Sequence, residues 1–317
     1  MTEHDVLDAH LARVHGDNAW QRRARLMQSL WRERAGLSPG DHNGRPLGSR
    51  LTAADGEPPM LANFLSEPAR RQVLAAVDDA PRTGALLARP RLWVDLLSSQ
   101  PLCFNLFGPL AEDLDLATAA LRLVWPNLIT RVTAIRFEWS PGRGQQTYTG
   151  NRSAFDVFVA YDGAGGRGFL GIEVKYHEDL SGTPARHHGR YDEMAHEHGV
   201  FHNGALDRLR VPALQQLWLD HLLALALRAN PDDGWDEGTF VLLSPSGNID
   251  CTRAGHEYRA CLRDAGSFDA RTLDEVVQAV RLVTGVGWVD AVHDRYLDPA
   301  PPTRAGLPPL GRARGRA

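Results

Sequence analysis

The sequence predicts a mixed α/β fold in the order helix, three strands, helix, strand, and three observations carry that prediction. The runs "RVTAIRFEW" (131–139) and "AFDVFVAY" (154–161) are β-branched and aromatic, the composition of strands. "DGAGGRG" (162–168) has the turn chemistry of a hairpin and leads into a third such run, "FLGIEVKY" (169–176). A helical stretch at 212–228, with proline in its first turn, then precedes the apolar run "GTFVLLSP" (238–245). The result is a central four-stranded mixed sheet flanked by helices. The last strand is expected parallel to its neighbour, because a helical crossover returns the chain in the same direction.

The remaining elements follow in order. Residues 1–35 are charged with recurring apolar positions (Val6, Leu7, Leu11, Val14, Trp20, Leu26, Leu30, Trp31) and predict an amphipathic helix. The Gly, Pro, Asp and Asn of 36–59 predict a loop. Two or three short helices are expected over 60–99, broken by Pro68, Pro81 and Pro90. "LCFNLFGPL" (102–110) reads as an apolar, aromatic turn. Helical spacing then covers 111–124, with Glu112, Asp113 and Asp115 in the first turn, where the helix dipole favours acids. A short helix is expected over 190–197, and one or two closing helices over 271–297. The end, "PAPPTRAGLPPLGRARGRA", has the composition of a disordered tail.

Composition bounds the function. A chain of 317 residues that is 43% hydrophobic can bury a sizeable core. Its net charge of -4 excludes a uniformly basic nucleic-acid coat but leaves room for a local basic groove. Three scattered cysteines (Cys103, Cys251, Cys261) make neither a disulfide framework nor a zinc ribbon and point to a reducing compartment. The start, MTEHDVLDAH, has no apolar core of a signal peptide, and Gln215, Gln216, Asp220 and His221 interrupt the longest apolar stretch. A soluble, cytoplasmic protein with no membrane partner is expected.

Within 169–176 lies Lys175, the one lysine among 35 basic residues. Alternation along a strand sends Leu170, Ile172, Val174 and Tyr176 to one face and Gly171, Glu173, Lys175 and His177 to the other. In the preceding strand Phe155, Val157, Val159 and Tyr161 form the apolar set, with Asp156 on the opposite face beside Phe158 and Ala160. A hairpin centred near Ala164 or Gly165 places Asp156 opposite Glu173 or its neighbour. Paired carboxylate oxygens suit Mg²⁺, a hard cation that keeps several waters. A lysine beside the ion can hold the attacking water and stabilise phosphate charge; arginine is bulkier and its pKa is not tunable.

Asp156, a gap of 16 residues, then Glu173-Val174-Lys175 resembles the active-site signature of the PD-(D/E)xK nuclease superfamily, and the element order over 110–245 is similar to its restriction-endonuclease-like core (αβββαβ). Phe155 stands where many members carry proline. The resemblance implies a Mg²⁺- or Mn²⁺-dependent deoxyribonuclease acting on DNA. Asp156 and Glu173 would bind the metal, and Lys175 would serve hydrolysis. It also makes Glu112 a candidate acid on the helix before the sheet, and Gln215 and Gln216 candidates on the helix after it. The chain then divides into an N-terminal helical extension (1–109), a nuclease-like domain (110–298) and a disordered Pro/Arg-rich tail (299–317).

Other residues carry weaker signals. Glu138 ends the first strand and is either a metal neighbour or a strand-edge acid. Arg186 and Arg190 follow the motif strand and are candidate phosphate contacts or the start of a solvated helix. His177, His187, His188, His196, His198 and His202 lack the spacing of a closed zinc site and read as loop or groove residues. Phe104, Phe107 and Trp125 read as core. The alternative function is a non-catalytic relative of the same fold, acting as a DNA-binding or assembly subunit. Oligomeric state is open, a homodimer included.

Overall fold

The computed structural model describes residues 2–285 and 287–297; the tail expected at 299–317 lies outside the described residues. Two helices open the chain, α1 (Glu3–Ala9) and α2 (Ala19–Arg34), where one was expected. Asn18 starts the second one. Its side chain accepts from the Gln21 amide at 2.9 Å and Gln21 accepts from the Asn18 amide at 2.9 Å, a reciprocal cap. The expected loop at 36–59 holds a hairpin, β1 (Pro39–His42) and β2 (Arg45–Leu51). It turns at Asn43-Gly44 with φ of 56° and 78°, values that Asn-Gly adopts readily.

Helices α3 (Ala53–Gly56), α4 (Glu67–Thr83), α5 (Arg91–Val94), α6 (Ser99–Glu112) and α7 (Leu114–Val124) follow. Pro68 sits in the first turn of α4 and Pro81 in its last, so neither breaks it. The aromatic turn expected at 102–110 is the body of α6. Every residue there is buried, and a helix buried all round shows no polar stripe to read.

The sheet comprises β3 (Arg131–Trp139), β4 (Phe155–Gly163) and β5 (Gly166–Val174), and continues with strands set between later helices. These are α8 (Gly189–His198), α9 (Leu206–Leu209), α10 (Pro212–Ala229), β6 (Glu237–Ser244), α11 (Ile249–Arg259), β7 (Phe268–Thr272), α12 (Leu273–Val283) and α13 (Trp288–Tyr296). Strand order is β3-β4-β5-β6-β7, antiparallel through β5 and parallel from β5 to β7. The sheet therefore has five strands where four were expected. The fifth, "FDART", is short and polar at alternate positions, which left no apolar run to find.

Both faces of the sheet are covered. Val157, Val159, Leu170, Ile172, Val241 and Leu243 pack with α6, α7, α12 and α13, together with Phe107 and Trp125. Phe158, Ala160, Phe169, Phe240 and Leu242 pack with α8, α10 and α11. Phe104 joins a smaller cluster formed with α4 and α5. Phe155 departs from its expected side and joins Phe158 and Phe169. Opposite it, β3 leaves the extended conformation at Glu138, whose φ is 46°. The Phe155 ring fills the space above Gly171, where an added Cβ would lie 2.5–2.8 Å from its carbons.

The N-terminal segment is wired to the end of the motif strand. Trp20 Nε1 donates to the Tyr176 carbonyl at 2.7 Å, and Gln28 Nε2 donates to the Tyr176 hydroxyl at 2.9 Å. Arg295, fully buried, donates to Gln28 Oε1 at 2.9 Å, to the Asn63 carbonyl at 2.8 Å and to Asn63 Oδ1 at 2.6 Å. It also lies over the Trp31 ring at 4.2 Å.

Two outcomes follow for stability. Arg295→Met leaves Gln28 and Asn63 buried without their donor, and urea unfolding should show a loss of about 3 kcal/mol. Gly171→Ala should cost about 1–3 kcal/mol through overpacking against Phe155, with part of the loss recovered in the Gly171→Ala/Phe155→Leu double variant.

Candidate active site

The hairpin register sets the site. β4 and β5 pair from Gly163↔Gly166 to Val157↔Ile172, so the turn is Ala164-Gly165 and one further step brings Asp156 beside Glu173. Asp156 Oδ2 accepts from the Val174 amide at 2.8 Å. Lys175 stands just past β5, its amide still bonded to the Leu243 carbonyl of β6 at 2.9 Å, so its side chain keeps the alternation of the strand. All three residues line a cleft of about 670 Å³.

Glu173 and Lys175 are 5% and 8% exposed. Their charged groups lie 2.6 Å apart. Gln216 of α10 bonds both: Lys175 Nζ donates to Gln216 Oε1 at 3.0 Å, and Gln216 Nε2 donates to Glu173 Oε1 at 2.6 Å. The amide is thereby fixed in one orientation, oxygen to the ammonium and nitrogen to the carboxylate. Gln215 also lines the cleft, and donates to the Ala185 carbonyl at 2.9 Å, tying down the 179–185 segment that forms another wall.

Burial among like charges sets the acidity of the cleft. Asp156 is pushed well above the usual carboxylate range by burial, then by Glu173 and Glu138, against a smaller opposing pull from Lys175 and the Val174 amide. Asp220, on α10, is pushed up by burial and by Glu173. Glu138 is raised by burial, against the Gln100 hydrogen bond at 2.6 Å and the Arg143 guanidinium at 3.5 Å. For Lys175, burial alone would lower the pKa, but Glu173, Glu178 and Asp156 outweigh it and the net shift is upward. The tunable lysine of the sequence reading is held here as an ammonium. Glu178 goes the other way. Burial raises it, yet Lys175 and the Tyr176 amide, 2.9 Å from its Oε2, bring it below its ordinary value.

The walls carry six acids (Glu138, Asp156, Glu173, Glu178, Asp179, Asp220) and three permanent cations (Arg143, Arg152, Lys175). Oxygen donors in excess, with Glu173 and Asp220 buried, fit a hard divalent cation, which would relieve their mutual repulsion. Among the described residues no group of three or more His, Cys, Asp or Glu side chains converges in a way that could hold a metal ion. Asp156 and Glu173 are the pair that would hold one, and water or substrate oxygens would complete its shell.

Other expected site residues fall elsewhere. Glu112 ends α6 instead of opening the next helix, which Asp113 caps. It is engaged by Arg71 at 2.5 Å and lies outside the cleft walls. Arg186 and Arg190 are not cleft walls either, and Arg190 pairs with Glu193 and Glu197 on its own helix. The cationic walls are instead Arg143 and Arg152, from the β3–β4 connection. Arg143 donates to the Glu138 and Arg152 carbonyls at 2.7 and 2.9 Å. Sequence reading passed over both, along with Glu178 and Asp220, because a glycine-rich turn and an apolar helix announce no charge cluster. His187 stacks on Trp218 and bonds Asp192 at 3.0 Å, while His221 is sealed between Tyr258 and Ser267.

The fold agrees with comparison to known families. A family model described as the PD-(D/E)XK nuclease superfamily matches residues 15–298. The chain belongs to the PD-(D/E)XK nuclease superfamily. No curated protein and no solved structure matches it. The superfamily match begins well before the sheet and takes in α2, the helix whose Trp20 and Gln28 hold Tyr176.

The bridging amide is open to a direct test. Gln216→Leu leaves the buried Glu173 and Lys175 each short of one partner, and the unfolding free energy should fall by about 1–3 kcal/mol with the fold retained by circular dichroism.

Proposed function

We propose that this member of the PD-(D/E)XK superfamily is a divalent-cation-dependent nuclease that hydrolyses phosphodiester bonds in DNA, working in the cytoplasm. The observation that carries the reading is the buried Lys175 ammonium, 2.6 Å from Glu173 and oriented by Gln216 within a cleft that also contains Asp156. Such a lysine is costly to keep unless its position serves chemistry.

In this reading Asp156 and Glu173 would hold Mg²⁺ or Mn²⁺, which would supply acidification of water and neutralisation of phosphoryl charge. Lys175 donates hydrogen bonds to the attacking water or to a non-bridging phosphoryl oxygen, stabilising the charge that develops there. Gln216 keeps the ammonium aimed. Arg152, in the wall, holds a backbone phosphate of the substrate. Three unpaired, buried thiols suit a reducing cytoplasm, and no helix among the described residues is long and apolar enough to cross a membrane.

The test is cleavage of plasmid, linear DNA and RNA by the purified chain with Mg²⁺ or Mn²⁺, and with EDTA as control. Lys175→Arg should lower the rate by about a hundredfold or more while retaining fold and Mn²⁺ binding, because the charge stays and its position changes. Asp156→Asn should lose both activity and cation affinity. DNA cleavage that survives EDTA, or wild-type rates from Lys175→Arg, would sink the mechanism. A wild-type chain that cuts none of these substrates would leave the DNA-binding or assembly role.

A further inference from the structure

One acid in the cleft has no function in the arrangement described above. Asp220 lies on α10 one turn beyond Gln216, and this spacing puts both side chains on the helix face that looks onto the end of β5. It is 5% exposed and lines the cleft. Its Oδ2 is sealed from solvent and has no hydrogen-bond partner. Two of the three wall cations are committed: Lys175 to Glu173 and Gln216, Arg143 to Glu138 and the Arg152 carbonyl. A carboxylate oxygen buried without a donor is strongly unfavourable, so its missing partner is best sought in something that enters the cleft.

The chemistry of that partner is constrained. It must bring hydrogen-bond donors to an acceptor, and positive charge to walls with six acids and three permanent cations. It must also be small enough to reach the floor beside Glu173, the acid that acts most strongly on Asp220. A hydrated divalent cation has all three properties, because waters bound to Mg²⁺ or Mn²⁺ are strong donors and the ion surrenders them reluctantly. The described carboxylates do not already converge as a closed ligand set, which fits contact through water.

Resting on the nuclease reading, we infer that Asp220 receives the water shell of the divalent cation held by Asp156 and Glu173, as a positioning residue contributed by α10. Asp220 would then stand as a further acid at the site, beside Glu138 and in place of Glu112, the two that the sequence offered as candidates.

Mn²⁺ titration of the purified chain, read by the electron paramagnetic resonance of free Mn²⁺, tests the assignment without recourse to activity. Asp220→Asn and Asp220→Ala should weaken Mn²⁺ binding by about 10–100-fold, the usual effect of losing an outer partner. Proton relaxation of the remaining bound Mn²⁺ should show altered water exchange, which a merely structural acid would not influence. Circular dichroism and the metal-free melting temperature of at least one variant should match or exceed wild type. Wild-type binding that is kept within twofold by a folded variant, with unchanged relaxation, would overturn the role of Asp220 and leave the nuclease reading intact. A wild-type chain that binds no Mn²⁺ would overturn both.

Discussion

The structure depends on keeping one lysine and one glutamate out of water at the end of a central strand. Taking both Glu173 and Lys175 out of solvent costs several kcal/mol per ion, and only good geometry with further hydrogen bonds offsets it. The close pairing of the charges supplies the first condition and the Gln216 amide the second. For Gln216 to be there, α10 must lie across the sheet, and its packing against Phe158, Phe169, Phe240 and Leu242 places it. The large apolar core on that face thus does more than add stability, because it aims an amide at an ion pair.

The opposite face of the same strand explains why the N-terminal segment is integral to the structure. Tyr176 follows the lysine and points to the other side, where its backbone and hydroxyl are bonded by Trp20 and Gln28. Gln28 in turn accepts from Arg295 near the far end of the chain. Residues from the beginning, middle and end of the chain therefore meet just behind the ion pair. A superfamily match that begins at residue 15 is consistent with this wiring, since removing α2 would leave the motif strand unsupported on one side.

The cleft crowds more acids than its cations can answer. Some surface acids are answered by arginine, as in Arg71–Glu112 or Arg131–Asp162. In the cleft, Asp156, Asp220 and Glu138 are all raised, with burial the largest cause in each case. A fold selected for stability alone would not crowd acids in this way. The strain is concentrated where a cation would relieve it. The positive φ at Glu138 is a backbone counterpart, in a conformation that residues other than glycine rarely adopt.

The sequence by itself determined the sheet's central hairpin and the face on which Glu173 and Lys175 lie. Alternation is a local property with a period of two, so the faces of residues 169–176 could be assigned without coordinates. Glycine-rich turn chemistry likewise centred the hairpin at Ala164-Gly165, which brings Asp156 beside Glu173. The solitary lysine marked its own position. Where the local pattern was silent or misleading, the reading failed: α6 is apolar on every side, β7 is too short, and the boundary between α6 and α7 moved Glu112 to an outer surface. The Asn43-Gly44 hairpin signal was present but lay within a stretch otherwise typical of loops. Only the tertiary structure decided which distant side chains complete the cleft. Arg143, Glu178 and Asp220 come from a turn, a strand exit and a helix, and no local pattern ties them to the motif. Their convergence is set by how helices pack across a twisted sheet, a long-range geometric outcome to which local periodicity carries no information.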